Sequence, residues 1–165
     1  MTDPRAAPRS AGGGFQSDLL MIKLLMVVYW FDDALQAALK AAGWPPVTRA
    51  QSLLFANMSA GERRPSRLAA NLGVSRQSVS QMIAELAARG MVTVEPDPND
   101  RRAQIVTFSG ETTPLRTAAS AVLRDLEDEL RRRIGDEALA GLAGALSTDW
   151  GERPQVEATP AGRSG

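Results

Sequence analysis

Five polar side chains follow one another closely in the middle of the chain: Arg76, Gln77, Ser78, Ser80 and Gln81. Their common chemistry is hydrogen bonding to flat groups seen edge-on. Arg pairs bidentately with guanine, Gln pairs with adenine, and Ser bonds to several base edges. Ser75 stands just before them and is a good helix N-cap. These side chains therefore open a helix, where base-reading residues are usually carried. A solvated helix face would use the same residue types, so the surroundings must decide.

Two further groups point the same way. Arg63, Arg64 and Arg67 form a basic cluster suited to phosphate. Asp100, Arg101 and Arg102 lie in a stretch of dense turn chemistry, Pro96-Asp97-Pro98-Asn99-Asp100. Two residues apart on a strand, Asp100 and Arg102 leave the same face and can pair. That pair would hold a guanidinium extended toward a narrow minor groove, whose potential attracts Arg.

Other chemistry is excluded by what is missing. The 165 residues include no Cys and no His. Disulfides, thiol redox sensing, Cys-ligated zinc, imidazole bases and the Ser-His-Asp triad all fall away. The carboxylate pairs Asp32-Asp33 and Asp125-Glu129 are poor catalysts. Neighbours on a helix do not face one another, and acids four apart on a charged helix are usually solvated. No enzyme, metal or cofactor is expected.

Charge is balanced overall, with 19 basic and 19 acidic residues. Its distribution is uneven. From Arg63 to Gly90 there are five Arg against one acid, Glu85; from Ser109 to Trp150 there are five Arg against eight acids. Phosphate attraction is screened within ~8–10 Å, so the local excess is what a polyanion meets.

The elements that must position these groups follow from periodicity and stop signals. Leu19 to Phe31 is an apolar run interrupted by Lys23. It is too short to span a bilayer, which needs ~20 residues, and a charge inside it argues against a signal peptide. It reads as a helix buried on more than one side, which implies a partner subunit. Gly43-Trp44-Pro45-Pro46 ends that helix. Thr48 caps a second helix with Ala50, Leu53, Leu54 and Met58 inward. Ser66 to Leu72 form a third, entered through Pro65. Gly73 stops it, and the helix capped by Ser75 runs to about Arg89 with Val79, Met82, Ile83 and Leu86 inward.

Two short helices joined by Leu72-Gly73-Val74-Ser75 make a helix-turn-helix. The period then changes. Residues 91–95 and 104–108 read as two strands of a hairpin. A long helix, 113–134, and a last one, 136–150, close the folded part. The last helix carries the stripe Leu139, Leu142, Leu146 and Trp150. Residues 1–14 and 151–165 read as disordered tails. The expected fold class is mainly α with a small β-hairpin wing: a winged helix-turn-helix, 47–108, flanked by long dimerisation helices in 15–46 and 109–150.

At these residues the chain resembles the MarR family of winged helix-turn-helix regulators. The resemblance is carried by Leu68-Ala69, Leu72-Gly73-Val74-Ser75-Arg76, Val79-Ser80, Leu86 and Arg89-Gly90-Met91-Val92. Above all it rests on Asp97-Pro98-Asn99-Asp100-Arg101-Arg102-Ala103. It implies a homodimer on a palindromic operator, with one helix in a major groove and the wing in a minor groove. It also implies a cytoplasmic, non-membrane regulator, a repressor relieved by a small aromatic effector. Tyr29, Trp30, Asp32, Trp44 and Phe55 are the expected pocket residues. Two departures from the family pattern stand out. Phe108-Ser109-Gly110-Glu111-Thr112 should shift or bend the start of the long helix. Arg64 occupies the usual Ser or Thr capping position, which weakens the cap and frees Arg64 for phosphate. The rival expectation is a winged-helix module that binds protein without specific DNA binding, consistent with the neutral total charge and Glu85.

Overall fold

The computed structural model describes residues 19–157; of Arg101 it describes the backbone alone. Among these residues there are six α-helices and one hairpin: α1 Leu20–Ala41, α2 Arg49–Ser59, α3 Pro65–Leu72, α4 Arg76–Ala88, β1 Val92–Asp97, β2 Asp100–Phe108, α5 Thr113–Ile134 and α6 Asp136–Ser147. The expected mainly helical winged architecture is what the chain adopts. The expected tail 1–14 and the first residues of the 15–46 region lie outside the described residues, as do 158–165; residues 151–157 form no helix or strand.

Local chemistry sets most boundaries. Thr48 and Gln51 form a reciprocal capping box at α2: Gln51 N–H donates to Thr48 Oγ1 at 3.2 Å, and Thr48 N–H donates to Gln51 Oε1 at 3.0 Å. Ser75 Oγ accepts the Ser78 N–H at 3.0 Å and opens α4. Gly73 takes the left-handed conformation, φ 66°, that ends α3 and turns the chain into α4. Pro65 occupies the first turn of α3, where its missing N–H costs nothing.

The core joins α2, α3, α4 and the hairpin. Leu54, Leu68, Val79, Leu86 and Val106 are fully buried, with Met58, Ile83, Met91 and Val92 around them. Burial differs from the sequence expectation at one turn of α2. Ala50 is exposed and Gln51 is buried. Gln51 can be inside because its amide is satisfied at both ends, by Thr48 N–H and by Glu85 of α4.

The hairpin is longer and tighter than residues 91–95 and 104–108 implied. Both strands run to Asp97 and Asp100, leaving Pro98-Asn99 as the tip. The ladder is regular from Val92↔Phe108 to Pro96↔Gln104. It then slips to Asp97↔Asp100, so residues 101–103 form a bulge. Pro96 is tolerated because it sits beside that irregularity on a two-stranded sheet.

The chain divides into two units, 1–126 and 127–165, and α5 crosses the division. The expected bend at the start of α5 is a 3₁₀ turn, Gly110–Thr112, held by Ser109. Its Oγ accepts the Glu111 N–H at 3.2 Å, and its carbonyl accepts the Thr112 hydroxyl at 2.6 Å. In the second unit α6 ends at Ser147, short of the expected Trp150. Ser147, Thr148 and Trp150 donate side-chain hydrogen bonds to the carbonyls of Ala143, Gly144 and Ala145. These bonds satisfy acceptors that the end of a helix leaves open.

The first half of α1 is not covered. Leu20 is 63% exposed, Met21 72% and Met26 50%. Neither α5 nor α6 buries any residue fully.

If the core is the one described, Leu86→Ala should lower the unfolding free energy by roughly 2–5 kcal/mol. Val94→Ala, at an exposed strand position, should change it by less than about 0.5 kcal/mol. Denaturant titration of the two variants checks this.

Candidate nucleic-acid interface

The helix-turn-helix presents its polar side outward because its apolar side is committed. Val79, Ile83 and Leu86 of α4 are buried, with Met82 half-buried. A 3.6-residue period then forces Arg76, Gln77, Ser80 and Gln81 to the exposed side. All four are exposed. Among the described residues, the side chains of Arg76, Gln77 and Ser80 make no hydrogen bond. Ser75 and Ser78 are tied to each other, Oγ to Oγ at 2.8 Å, so they shape the helix start. Gln81 donates to Glu85 at 3.2 Å, which orients its amide along the helix.

α4 is held in place at two points besides its core face. Glu85 accepts from Gln51 of α2 at 3.4 Å, and Arg89 donates to the Pro46 carbonyl at 2.6 Å. The exposed polar face is therefore carried on a helix fixed to the segment 46–51.

The basic cluster on α3 divides into different roles. Arg67 is exposed. Arg63 is exposed, and its carbonyl accepts the Val106 N–H at 2.9 Å, adding a strand-like bond to the hairpin. Arg64 is the N-cap residue of α3 and makes no side-chain cap there, as the sequence implied. Its guanidinium instead grips Asp97, with Nε at 3.0 Å and Nη2 at 2.7 Å from the same carboxylate oxygen. The sequence reading gave Arg64 to phosphate; its geometry is that of a clamp between α3 and the wing. Glu62 Oε1 accepts the N–H groups of Arg63 and Arg64, both at 2.9 Å, and fixes the approach to α3.

Asp97 is the wing's buried acid, only 4% exposed. Besides Arg64, it accepts the Asn99 N–H at 2.9 Å and so closes the tip. Its carboxyl is held below the usual carboxylate range. The Asn99 N–H is the largest cause, burial opposes it, and Arg64 adds to it. Asp100 is exposed and accepts the Arg102 backbone N–H at 3.1 Å. The sequence reading made Asp100 a brace for the Arg102 guanidinium. The structure corrects this: Asp100 shapes the turn, because the bulge at 101–103 breaks the regular alternation that would place the two side chains together. Arg102 itself is exposed at the wing. The side chain of Arg101 lies outside the described residues.

A cavity of about 980 Å³ lies among α1, α2 and the first part of α5. Of the five residues that the sequence suggested for a pocket, Asp32 and Phe55 line it; Tyr29, Trp30 and Trp44 do not. The wall of α1 is made by Val28, Phe31, Asp32, Leu35 and Leu39, one helical stripe. Tyr29 and Trp30 fall off that stripe. Tyr29 lies under the Arg49 guanidinium, 4.2 Å from its ring centre, and Trp30 packs edge-on against Phe31 at 4.9 Å. Arg49 also donates to Asp32 at 2.9 Å and to Asp33, tying α2 to α1. Asp32 is the main reason that Arg49 holds its proton more firmly than usual.

Sequence reasoning missed Asp97, Glu62, Gln51 and Arg49. Asp97 had a local signal, an acid two residues before Asn99 in a turn. The others act on partners far away in sequence. Among the described residues, no group of acids could hold a metal ion, and no helix is long and apolar enough to cross a membrane.

Comparison with known proteins agrees with this architecture. Residues 46–103 match the model of the MarR family. No curated protein sequence matches the chain. Among similar solved structures is apo wild-type MarR from E. coli, at 23% identity and TM-score 0.61, over 78% of this chain and 94% of that one. A MarR-family transcriptional regulator from Rhodococcus sp. RHA1 aligns at 23% identity and TM-score 0.58, over 80% and 94%. RV1404 from Mycobacterium tuberculosis aligns at 16% identity and TM-score 0.60, over 81% and 91%.

The clamp gives a pH prediction. A depressed carboxyl contributes stability that is fully present above its unfolded pKa of ~3.9 and is lost as pH falls through the lower folded value. Asp97→Asn should therefore be less stable than the parent by a constant margin above about pH 5. Chemical denaturation at a series of pH values should show that margin closing on further acidification. A margin that widens in acid would contradict the assignment.

Proposed function

We infer that this chain, whose winged helix belongs to the MarR family of transcriptional regulators, is a homodimeric, sequence-specific double-stranded DNA-binding regulator. Its proposed mode is repression relieved by a small molecule. The observation that carries the reading is the pairing of two exposed basic elements on one rigid support. Arg76 and Gln77 stand exposed in the first turn of α4. The wing carrying Arg102 is clamped to α3 through Arg64 and Asp97.

In this reading, Arg76 and Gln77 contact base edges in a major groove, with Ser80 beside them. Arg63 and Arg67 hold phosphate. Arg102 enters the neighbouring minor groove. Residues 47–108 form the DNA-binding part. Residues 15–46 and 109–150 form the dimerisation part. Support for the latter is the uncovered apolar surface of α1 and, separately, of α6, where Leu142 is 36% and Leu146 51% exposed. A two-fold dimer would meet a palindrome with half-sites one helical turn apart, ~34–36 Å. The cavity beside α1 is the proposed effector site. A regulator of this kind would work in the cytoplasm, where the DNA is.

Selection of duplexes from a randomised pool, followed by salt-dependent titration, tests the reading. Gln77→Ala should relax base preference at one position per half-site, at a cost of ~1–3 kcal/mol. Arg67→Ala should weaken every duplex alike and reduce the salt slope by about one. Identical, sequence-blind losses in both variants would overturn this division of roles. Failure to enrich any sequence would overturn DNA reading itself.

A further inference from the structure

We propose that the cavity beside α1 takes an apolar molecule carrying a protonated amine, whose N–H reaches the second carboxylate oxygen of Asp32. The proposal rests on reading that cavity as the effector site, and it names the ligand's chemical class.

Asp32 is 8% exposed and lines the cavity. Its Oδ2 is held by Arg49 at 2.9 Å. Its Oδ1 is sealed from solvent and, among the described residues, meets no hydrogen-bond donor. A buried carboxylate oxygen without a donor is destabilising, so a molecule that supplies one gains affinity from it. Arg49 also bonds to Asp33, so one guanidinium serves two acids and this trio keeps one negative charge in excess. A cationic donor complements both features. Because Oδ1 is sealed, the wall must shift slightly to admit the donor. An ammonium is compact and carries three donors, so it demands the least shift. Most of the rest of the α1 and α2 wall, Gln36, Ser52 and Ser59 aside, is apolar and calls for an apolar body.

The opposite wall carries the counter-argument. Arg116 and Arg124 of α5 also line the cavity. Both are exposed, and Arg116 is stacked on the Phe108 ring at 4.2 Å. An anionic ligand would use these two; the buried, half-satisfied carboxylate favours the amine.

Asp32 is also well placed to affect the recognition helix. Arg49 is the first residue of α2, next to the Thr48–Gln51 capping box, and Gln51 donates to Glu85 of α4. An amine on Oδ1 would share the carboxylate with Arg49, weaken its hold on α2 and so disturb the support of α4.

The test is calorimetric titration of the full chain with naphthylmethylamine, naphthoic acid and naphthylmethanol, which share an apolar body. The amine should bind about tenfold tighter than the other two. Asp32→Asn should remove that advantage while leaving the alcohol unchanged, and Arg116→Ala should leave the amine unchanged. If Asp32→Asn fails to fold, the ranking of the three probes on the parent chain decides. The proposal is overturned if the acid binds best and Arg116→Ala abolishes it. It is also overturned if no probe binds, as expected where a second copy of the chain supplies the donor to Asp32. Duplex affinity measured with the amine present separates the two readings. An amine that binds through Asp32 without changing duplex affinity upholds the ligand class and removes the effector role.

Discussion

The geometry of the proposed binding face depends on one ion pair, Arg64 with Asp97. A lone two-stranded hairpin is marginal in water and has no core of its own. Here its base is buried through Val92 and Val106, but its tip projects beyond that core. The tip is fixed because Asp97 is gripped by Arg64 from α3 and closed by Asn99. Arg63 adds a backbone bond to the other strand, β2. Arg63 and Arg64 therefore attach the wing to the entry of the helix-turn-helix, and Glu62 holds their backbone N–H groups. The ordering of the hairpin tip is completed before any partner arrives, which lowers the cost of binding.

The same economy of burial explains the rest of the molecule. The winged helix closes its own core with α2, α3, α4 and the hairpin, so α1 has little left to pack against. α1 fully buries only Asp32 and Leu39. Its N-terminal half, rich in Leu, Met and Val, is left open. Polar ties join α1 to α2: Arg49 to Asp32 and Asp33, and Gln36 to Ser52. The cavity lies beside these ties.

Local features of this fold were legible in the sequence, and long-range pairings were not. Ser75, Thr48, Gly73 and Pro65 act on their immediate neighbours, so helix ends could be read directly. The inward set Val79, Met82, Ile83 and Leu86 followed from period alone. Arg64 and Asp97 are 33 positions apart, and nothing local marks them as partners. Gln51 broke the apolar-inside rule because two distant groups satisfy it. The bulge at 101–103 broke strand alternation, which is why Asp100 and Arg102 were wrongly paired. The pocket was half legible for a similar reason. Aromatic type drew attention to Tyr29, Trp30 and Trp44, whereas helical phase puts Phe31 and Leu35 on its wall.

The central claim is that recognition helix and wing form one pre-set face that spans adjacent grooves of a duplex. Hydroxyl-radical footprinting on a selected duplex measures this directly, with the parent chain beside Arg102→Ala. The account predicts two protected segments about one helical turn apart, each flanked by minor-groove protection that only the Arg102 variant loses. Uniform protection along the duplex, or loss of every segment together in that variant with its fold intact, would contradict it.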